Sequence, residues 1–327
     1  MSSDDAAGLG SHTAETAGTH AVPLTRPRGT TVTDIETRTL EAPGATITYD
    51  VRGNLADTTP EAPVLLIVGS PMGADGFVTL ASHFTDRPVV TYDPRGVSRS
   101  TRTDPSAPVT PDHHADDLRL VIEALGAGPV DVLASSGGAV NALALVTQHP
   151  EQVRTLVAHE PPSGPALPDR DAALAAVQAV SRSYQDKGFG AGMAHFIALT
   201  SWEGPFPDDF ADQLAPDPGA FGFPTDDDGS RDDALLGQNL ISCTHYEHDY
   251  DAVRGASTRV VVGAGVESED TFTYRTSVAV AERLGTEPVI FPSHHGGFLG
   301  GEFGYAGEPD AFAVTLREVL SKNGDGR

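Results

Sequence analysis

Cysteine is almost absent from the sequence: Cys243 stands alone in 327 residues. A lone cysteine forms no internal disulfide and supplies no multi-cysteine zinc site, so stability must come from packing. Positive charge is also scarce, with 21 Lys and Arg against 46 Asp and Glu and a formal net charge of −25. Such a surface repels phosphate backbones and anionic headgroups, which argues against nucleic-acid and membrane partners. No apolar run approaches the roughly 20 residues that span a bilayer, and the best one, Val64–Val68, reads as a buried strand. Residues 1–33 lack the apolar stretch of a secretory signal and read as a disordered tail on a cytoplasmic protein. His12 and His20 in that tail are too far apart on a floppy segment to suggest a metal site. What the chain does have is 39% hydrophobic residues, enough to bury a sizeable core.

From Arg38 onward, strand-like and helix-like segments alternate, the pattern of a mostly parallel sheet covered by helices, an α/β fold. Thr46–Val51 alternates like an edge strand, and Val64–Val68 runs into the turn Gly69-Ser70-Pro71-Met72-Gly73. Further strands are expected at Pro88–Tyr92, Val130–Ala134, Val153–Ala158, Arg259–Val262 and Val289–Phe291. Helices are expected at Asp112–Leu125, Gly137–His149, about Tyr274–Leu284 and near Pro309–Leu320. Between them, residues 163–253 lose the strand rhythm and read as an inserted cap, with core segments at 34–162 and 254–321 and a frayed end at 322–327. The cap holds Trp202 with Phe189, Phe196, Phe206, Phe210, Phe221 and Phe223. These aromatics form either a small satellite core or a lining for substrate.

The most informative segment is Val130-Asp131-Val132-Leu133-Ala134-Ser135-Ser136-Gly137-Gly138-Ala139, an apolar strand running through small residues straight into a helix. It reads as a nucleophile elbow with Ala134 in place of the first glycine of G-x-S-x-G, which makes Ser136 the candidate nucleophile. Gly-rich strand-to-helix turns also cradle phosphates, but here no Lys follows and no G-x-G-x-x-G fits. The turn Gly69–Gly73 and the segment Asp93-Pro94-Arg95-Gly96 precede the elbow. In this order of motifs the chain resembles the α/β-hydrolase superfamily from about Arg38 to Leu320. The resemblance implies a mainly parallel eight-stranded sheet, a helical cap inserted after the sixth strand, and a catalytic triad in the chain order nucleophile, acid, histidine.

The resemblance places the histidine after the last strand, at His294 or His295. His295 matches better because it leads the small-residue segment Gly296-Gly297-Phe298. For the acid two positions compete. Most of the superfamily carries it after the seventh strand, here near Glu267; a minority, including haloalkane dehalogenases and the lactonases that open zearalenone, carries it after the sixth. There stands Glu160, and Pro150–Arg154 through His159-Glu160-Pro161-Pro162 look similar to those lactonases. Glu160 is preferred, since a carboxylate between an apolar strand and two prolines has few structural reasons to be there, whereas Glu267, Glu269 and Asp270 read as a solvated loop.

The oxyanion donors are expected at Gly137 and Ser70, with Met72 as the alternative to Ser70 because Pro71 has no N–H. Met72, Trp202, Phe206 and His245 are the expected substrate contacts. His245 and His248 superficially suggest a metal site, but a polar helical face explains them as well. The implied activity is that of a cofactor-free, metal-free serine esterase or lactonase acting on a small hydrophobic molecule. A perhydrolase using peroxide at the acyl-enzyme, or a non-catalytic small-molecule-binding homologue, is the alternative. Assembly with further copies of the chain stays open.

Overall fold

The apolar runs of the sequence become neighbouring strands. The computed structural model describes residues 35–213 and 215–322; the expected tail with His12 and His20, and residues 323–327 of the expected frayed end, lie outside the described residues. In chain order the strands are β1 (Ile35–Ala42), β2 (Ala45–Arg52), β3 (Leu65–Val68), β4 (Val89–Tyr92), β5 (Thr101–Arg102), β6 (Val130–Ser135), β7 (Val153–His159), β8 (Arg259–Gly265) and β9 (Val289–Phe291). The sheet order is β1-β2-β4-β3-β6-β7-β8-β9, with β5 a two-residue strand paired to β2. Without β5 the sheet has the eight expected strands, and β7 is the sixth of them. From β4 to β9 all neighbours are parallel, while β2 runs antiparallel to both β1 and β4.

Side chains on a strand alternate between faces, and the central strands are buried on both, which is why they read as continuous apolar runs. On β3, Leu66 and Val68 join one core and Leu65 and Ile67 the other. The first core lies under α2 (Pro111–Leu125) and α3 (Gly137–Gln148), the second under α1 (Val78–Ser82) and α9 (Pro309–Ser321). Each buried aliphatic side chain contributes on the order of 1.5–3 kcal/mol. At the start of α2, Thr110 and His113 cap each other reciprocally beside Pro111, and Gly126 ends the helix at φ 62°.

One expectation is corrected. The Thr46–Val51 segment is not an edge: β2 lies between β1 and β4 and is mostly buried. The edge is β1, whose exposed Glu36 and Glu41 suit a strand that must not recruit another chain. Its polar face hid it from a reading based on apolar alternation.

Between β7 and β8 the chain forms α4 (Arg170–Lys187), α5 (Phe189–Thr200), a π-helical turn at Ala234–Asn239, α6 (Leu240–Thr244) and α7 (Tyr250–Gly255); α8 (Phe272–Leu284) follows β8. Among the described residues, no helix is long and apolar enough to cross a membrane.

Candidate active site

The connections of the sheet run in opposite directions on either side of the β3–β6 pair, so the loops leaving the carboxyl ends of these two strands open a crevice. Ser136 stands at the end of β6 with φ 56° and ψ −130°. A non-glycine residue held there stores roughly 1–3 kcal/mol of backbone strain. The surroundings hold it: the Ser136 N–H donates to the His159 carbonyl at 2.9 Å, and the Ser136 carbonyl accepts from the Ala139 N–H at 2.9 Å. Its hydroxyl makes no capping bond to α3. Gly137 and Gly138 are required by crowding, since a Cβ on either would lie 2.6 Å from the Ser70 or the Val68 carbonyl oxygen. The absence of side chains there lets β3 close on the start of α3, whose first N–H groups lack intrahelical partners.

Glu160 follows β7 in a left-handed conformation, φ 48°, and is fully buried. Its Oε2 lies 2.5 Å from His295 Nδ1 and accepts from Thr273 Oγ1 at 2.7 Å, while Oε1 accepts from the Gly265 N–H at 2.8 Å. Burial pushes the carboxyl upward, but the bond to His295, the attraction of its imidazolium and the Thr273 hydroxyl outweigh it and hold the group well below the ordinary carboxylate range. An ionised Glu160 can only accept, which places a proton on His295 Nδ1 and leaves Nε2 as the basic nitrogen.

The competing carboxylate is differently engaged. Glu267 is exposed, and its Oε2 accepts from Ser293 Oγ at 3.4 Å. His294 contacts the Ala306 carbonyl through Nε2 at 3.3 Å and accepts from the Gly296 N–H at 3.0 Å, holding the loop that carries His295.

Ser136, Gly137, Ser70, Met72 and His295 line one cavity of about 780 Å³, with Glu267 also on its wall. The rest is largely apolar, including Met193, Phe196, Leu199, Leu235 and Phe298, and neither Lys nor Arg contributes to it. Ser136 Oγ and His295 share this cavity without a hydrogen bond between them among the described residues. Such contacts in unliganded enzymes often close only around substrate.

Three expected substrate contacts are corrected: Trp202, Phe206 and His245 do not line the cavity. Trp202 packs with Phe206 and Phe210 at ring separations of 6.5 and 5.2 Å, and Phe206 also meets Phe272 at 6.0 Å. His245 is held by Thr244 Oγ1 at 3.0 Å and Gln178 Nε2 at 3.2 Å. Trp202, Phe206 and Phe210 therefore form a satellite core with Phe272, whereas Phe196 and Phe223 of the insertion line the cavity. Trp202→Ala is expected to cost on the order of 1–3 kcal/mol, lowering the melting temperature while changing kcat/KM by the same factor for short and long acyl esters. A selective loss on one acyl size would return Trp202 to the substrate site.

Several side chains outside the expected triad brace this arrangement, Asp93 and Arg95 of the segment before the elbow among them. Asp93 accepts from the Ala74 N–H at 2.8 Å and from Arg99 Nε at 2.6 Å, and Arg95 forks onto Asp117 at 2.6 and 2.7 Å. His159 is fully buried beneath His295, contacts Ser135 Oγ at 3.3 Å and packs edge-on against Phe291 and Phe312. Burial, only partly opposed by Glu160, pushes its imidazole down to about 4, so it stays neutral near pH 7. Asn239 meets Ser70. Its segment carries no motif by which sequence could have found it.

The profile of the alpha/beta hydrolase fold family matches residues 62–235. Over 296 residues the chain is 29% identical to an uncharacterized hydrolase, YraK, of Bacillus subtilis (strain 168), across 88% of this chain and 97% of that one. Among solved structures it is similar in fold to MGS-M2, an alpha/beta hydrolase enzyme from a Medee basin deep-sea metagenome library, with a TM-score of 0.62 at 14% identity over 89% of this chain and 99% of the other. It is likewise similar to the esterase EaEST of Exiguobacterium antarcticum, with a TM-score of 0.59 at 18% identity over 85% and 96% of the two chains.

Proposed function

The chain belongs to the α/β-hydrolase fold family, and from that premise we propose that it is a serine hydrolase cleaving a carboxylic ester or lactone of a neutral, apolar molecule. The observation that carries this reading is the contact between the buried Glu160 and His295 at the wall of the cavity that Ser136 also lines. In the proposed cycle His295 Nε2 takes the proton of Ser136 Oγ as the oxygen adds to the substrate carbonyl. The Gly137 and Ser70 N–H groups receive the oxyanion. Collapse breaks the carbonyl–alkoxy bond, and the imidazolium returns its proton to the leaving alcohol. Water, deprotonated by His295, then releases the acid and restores the serine.

The cavity supports the substrate class. Its apolar wall favours a bulky uncharged acyl or alcohol group, and Glu267 without a neighbouring cation on the wall disfavours a carboxylate-bearing one. The test compares p-nitrophenyl esters of neutral acyl groups of increasing length with the hemisuccinate ester, alongside a fluorophosphonate probe. Neutral esters are expected to turn over, the hemisuccinate much more slowly, and mass spectrometry should place the phosphonate on Ser136. An unlabelled protein that is inert on neutral esters and lactones would overturn the proposal.

A further inference from the structure

The turn that carries Ser70 is irregular backbone, from Gly69 to Gly73, and receives no helix or strand ladder to fix it. Side chains from elsewhere in the fold tie it at either end. At its far end Asp93 accepts from the Ala74 N–H. At Ser70 the partner comes from the inserted helices: Asn239, the last residue of the π-helical turn, is buried and makes two hydrogen bonds to Ser70. Its Oδ1 accepts from Ser70 Oγ at 2.7 Å, and its Nδ2 donates to the Ser70 carbonyl at 3.0 Å. A carbonyl can only accept, so the amide nitrogen must face it, and the orientation of Asn239 follows. Cys243 Sγ, 3.3 Å from Oδ1, serves as a further donor to the same oxygen.

The pair sits against the elbow. A Cβ on Gly137 would lie 2.7 Å from Asn239 Nδ2 as well as 2.6 Å from the Ser70 oxygen, so the three groups are packed in contact. All three line the cavity with Ser136. A π-turn inside helical structure is uncommon and is found mostly at functional sites.

Resting on the serine-hydrolase reading, we infer that Asn239 is a positioning residue that clamps Ser70 so that its main-chain N–H is held where the oxyanion forms. Oxyanion donors act only when fixed to within about 0.5 Å of the productive place. Pro71 supplies no N–H to share the task. The inserted helices thus take part in the chemical step and not only in choosing substrate.

The experiment measures kcat, KM and the affinity of a trifluoromethyl ketone, whose serine adduct carries an oxyanion, for wild type, Asn239→Ala, Asn239→Asp and Ser70→Ala. Asn239→Ala is expected to lower kcat on the order of 10²-fold, to weaken the ketone in parallel, and to leave KM within about threefold. Asn239→Asp keeps the shape but turns a carboxylate oxygen toward the Ser70 carbonyl, so it should not rescue. Ser70→Ala, which retains the main-chain half of the clamp, should fall between wild type and Asn239→Ala. Unchanged kcat and ketone affinity with a lowered melting temperature would reduce Asn239 to a structural role, and a raised KM at unchanged kcat would make it a substrate contact; either overturns the inference. If Asn239→Ala does not fold, a kcat for Asn239→Asp equal to wild type would do the same. Fluorophosphonate labelling of the wild type separates the two levels: failure to label removes the hydrolase reading, whereas normal labelling with indifferent Asn239 variants removes this inference alone.

Discussion

Ser136→Ala is expected to lower kcat by about 10⁶-fold, the scale on which loss of a serine nucleophile acts in other hydrolases, and to abolish phosphonate labelling. The fold should survive. Alanine carries a Cβ as serine does, so the strain at φ 56° is unchanged, and the hydroxyl caps no helix. Stability should therefore move by less than about 1 kcal/mol. Kinetics on purified variant and wild type, with melting curves for both, check the two halves separately. Turnover retained by a folded Ser136→Ala protein would remove the nucleophile from the scheme.

Glu160→Gln is expected to cost about 10⁴-fold in kcat, as neutralising the buried acid of such a triad does. The amide is the same size, and its oxygen can still accept from Thr273 or from the Gly265 N–H. What is lost is the charge opposite His295 Nδ1, and with it both the preferred tautomer and the stabilisation of the imidazolium. Because the acid acts on the transition state, KM should change far less than kcat. Glu267→Gln, at an exposed carboxylate paired with Ser293, should change kcat by less than about threefold. The reverse ranking would move the acid to the loop after β8.

The parts of the site legible in the sequence are those where a local chemical demand leaves few residue choices. A serine before two glycines at the end of an apolar strand advertised the turn, because only small residues fit where β3 meets α3. The meeting of Glu160 and His295 was anticipated from the resemblance, which places a histidine after the last strand and, in some members, an acid after the sixth; the residues themselves added that a carboxylate between an apolar strand and a proline pair has few structural reasons to be there. The insertion was opaque for the opposite reason. Aromatic residues satisfy a satellite core and a substrate wall equally well, and nothing in Trp202 or Phe206 says which neighbours they meet. Asn239 was invisible because its partner lies 169 positions away and its role is a matter of position, not of residue type. β1 escaped because so few of its residues, Leu40 and Ala42 among them, pack against the core that no apolar alternation shows.

The cavity wall has a further consequence after the bond is cut. In the proposed reaction, hydrolysis of a neutral ester would convert an uncharged ligand into a carboxylate in a chamber that offers no lysine or arginine to hold it. Glu267 on the wall and the net charge of −25 on the chain then act on the newly formed anion as a standing repulsion. On the proposed reading, the same wall that disfavours a carboxylate-bearing substrate also favours departure of the acid product. Added salt screens this repulsion over the roughly 10 Å Debye length of a 0.1 M solution, and would let the acid product linger and compete.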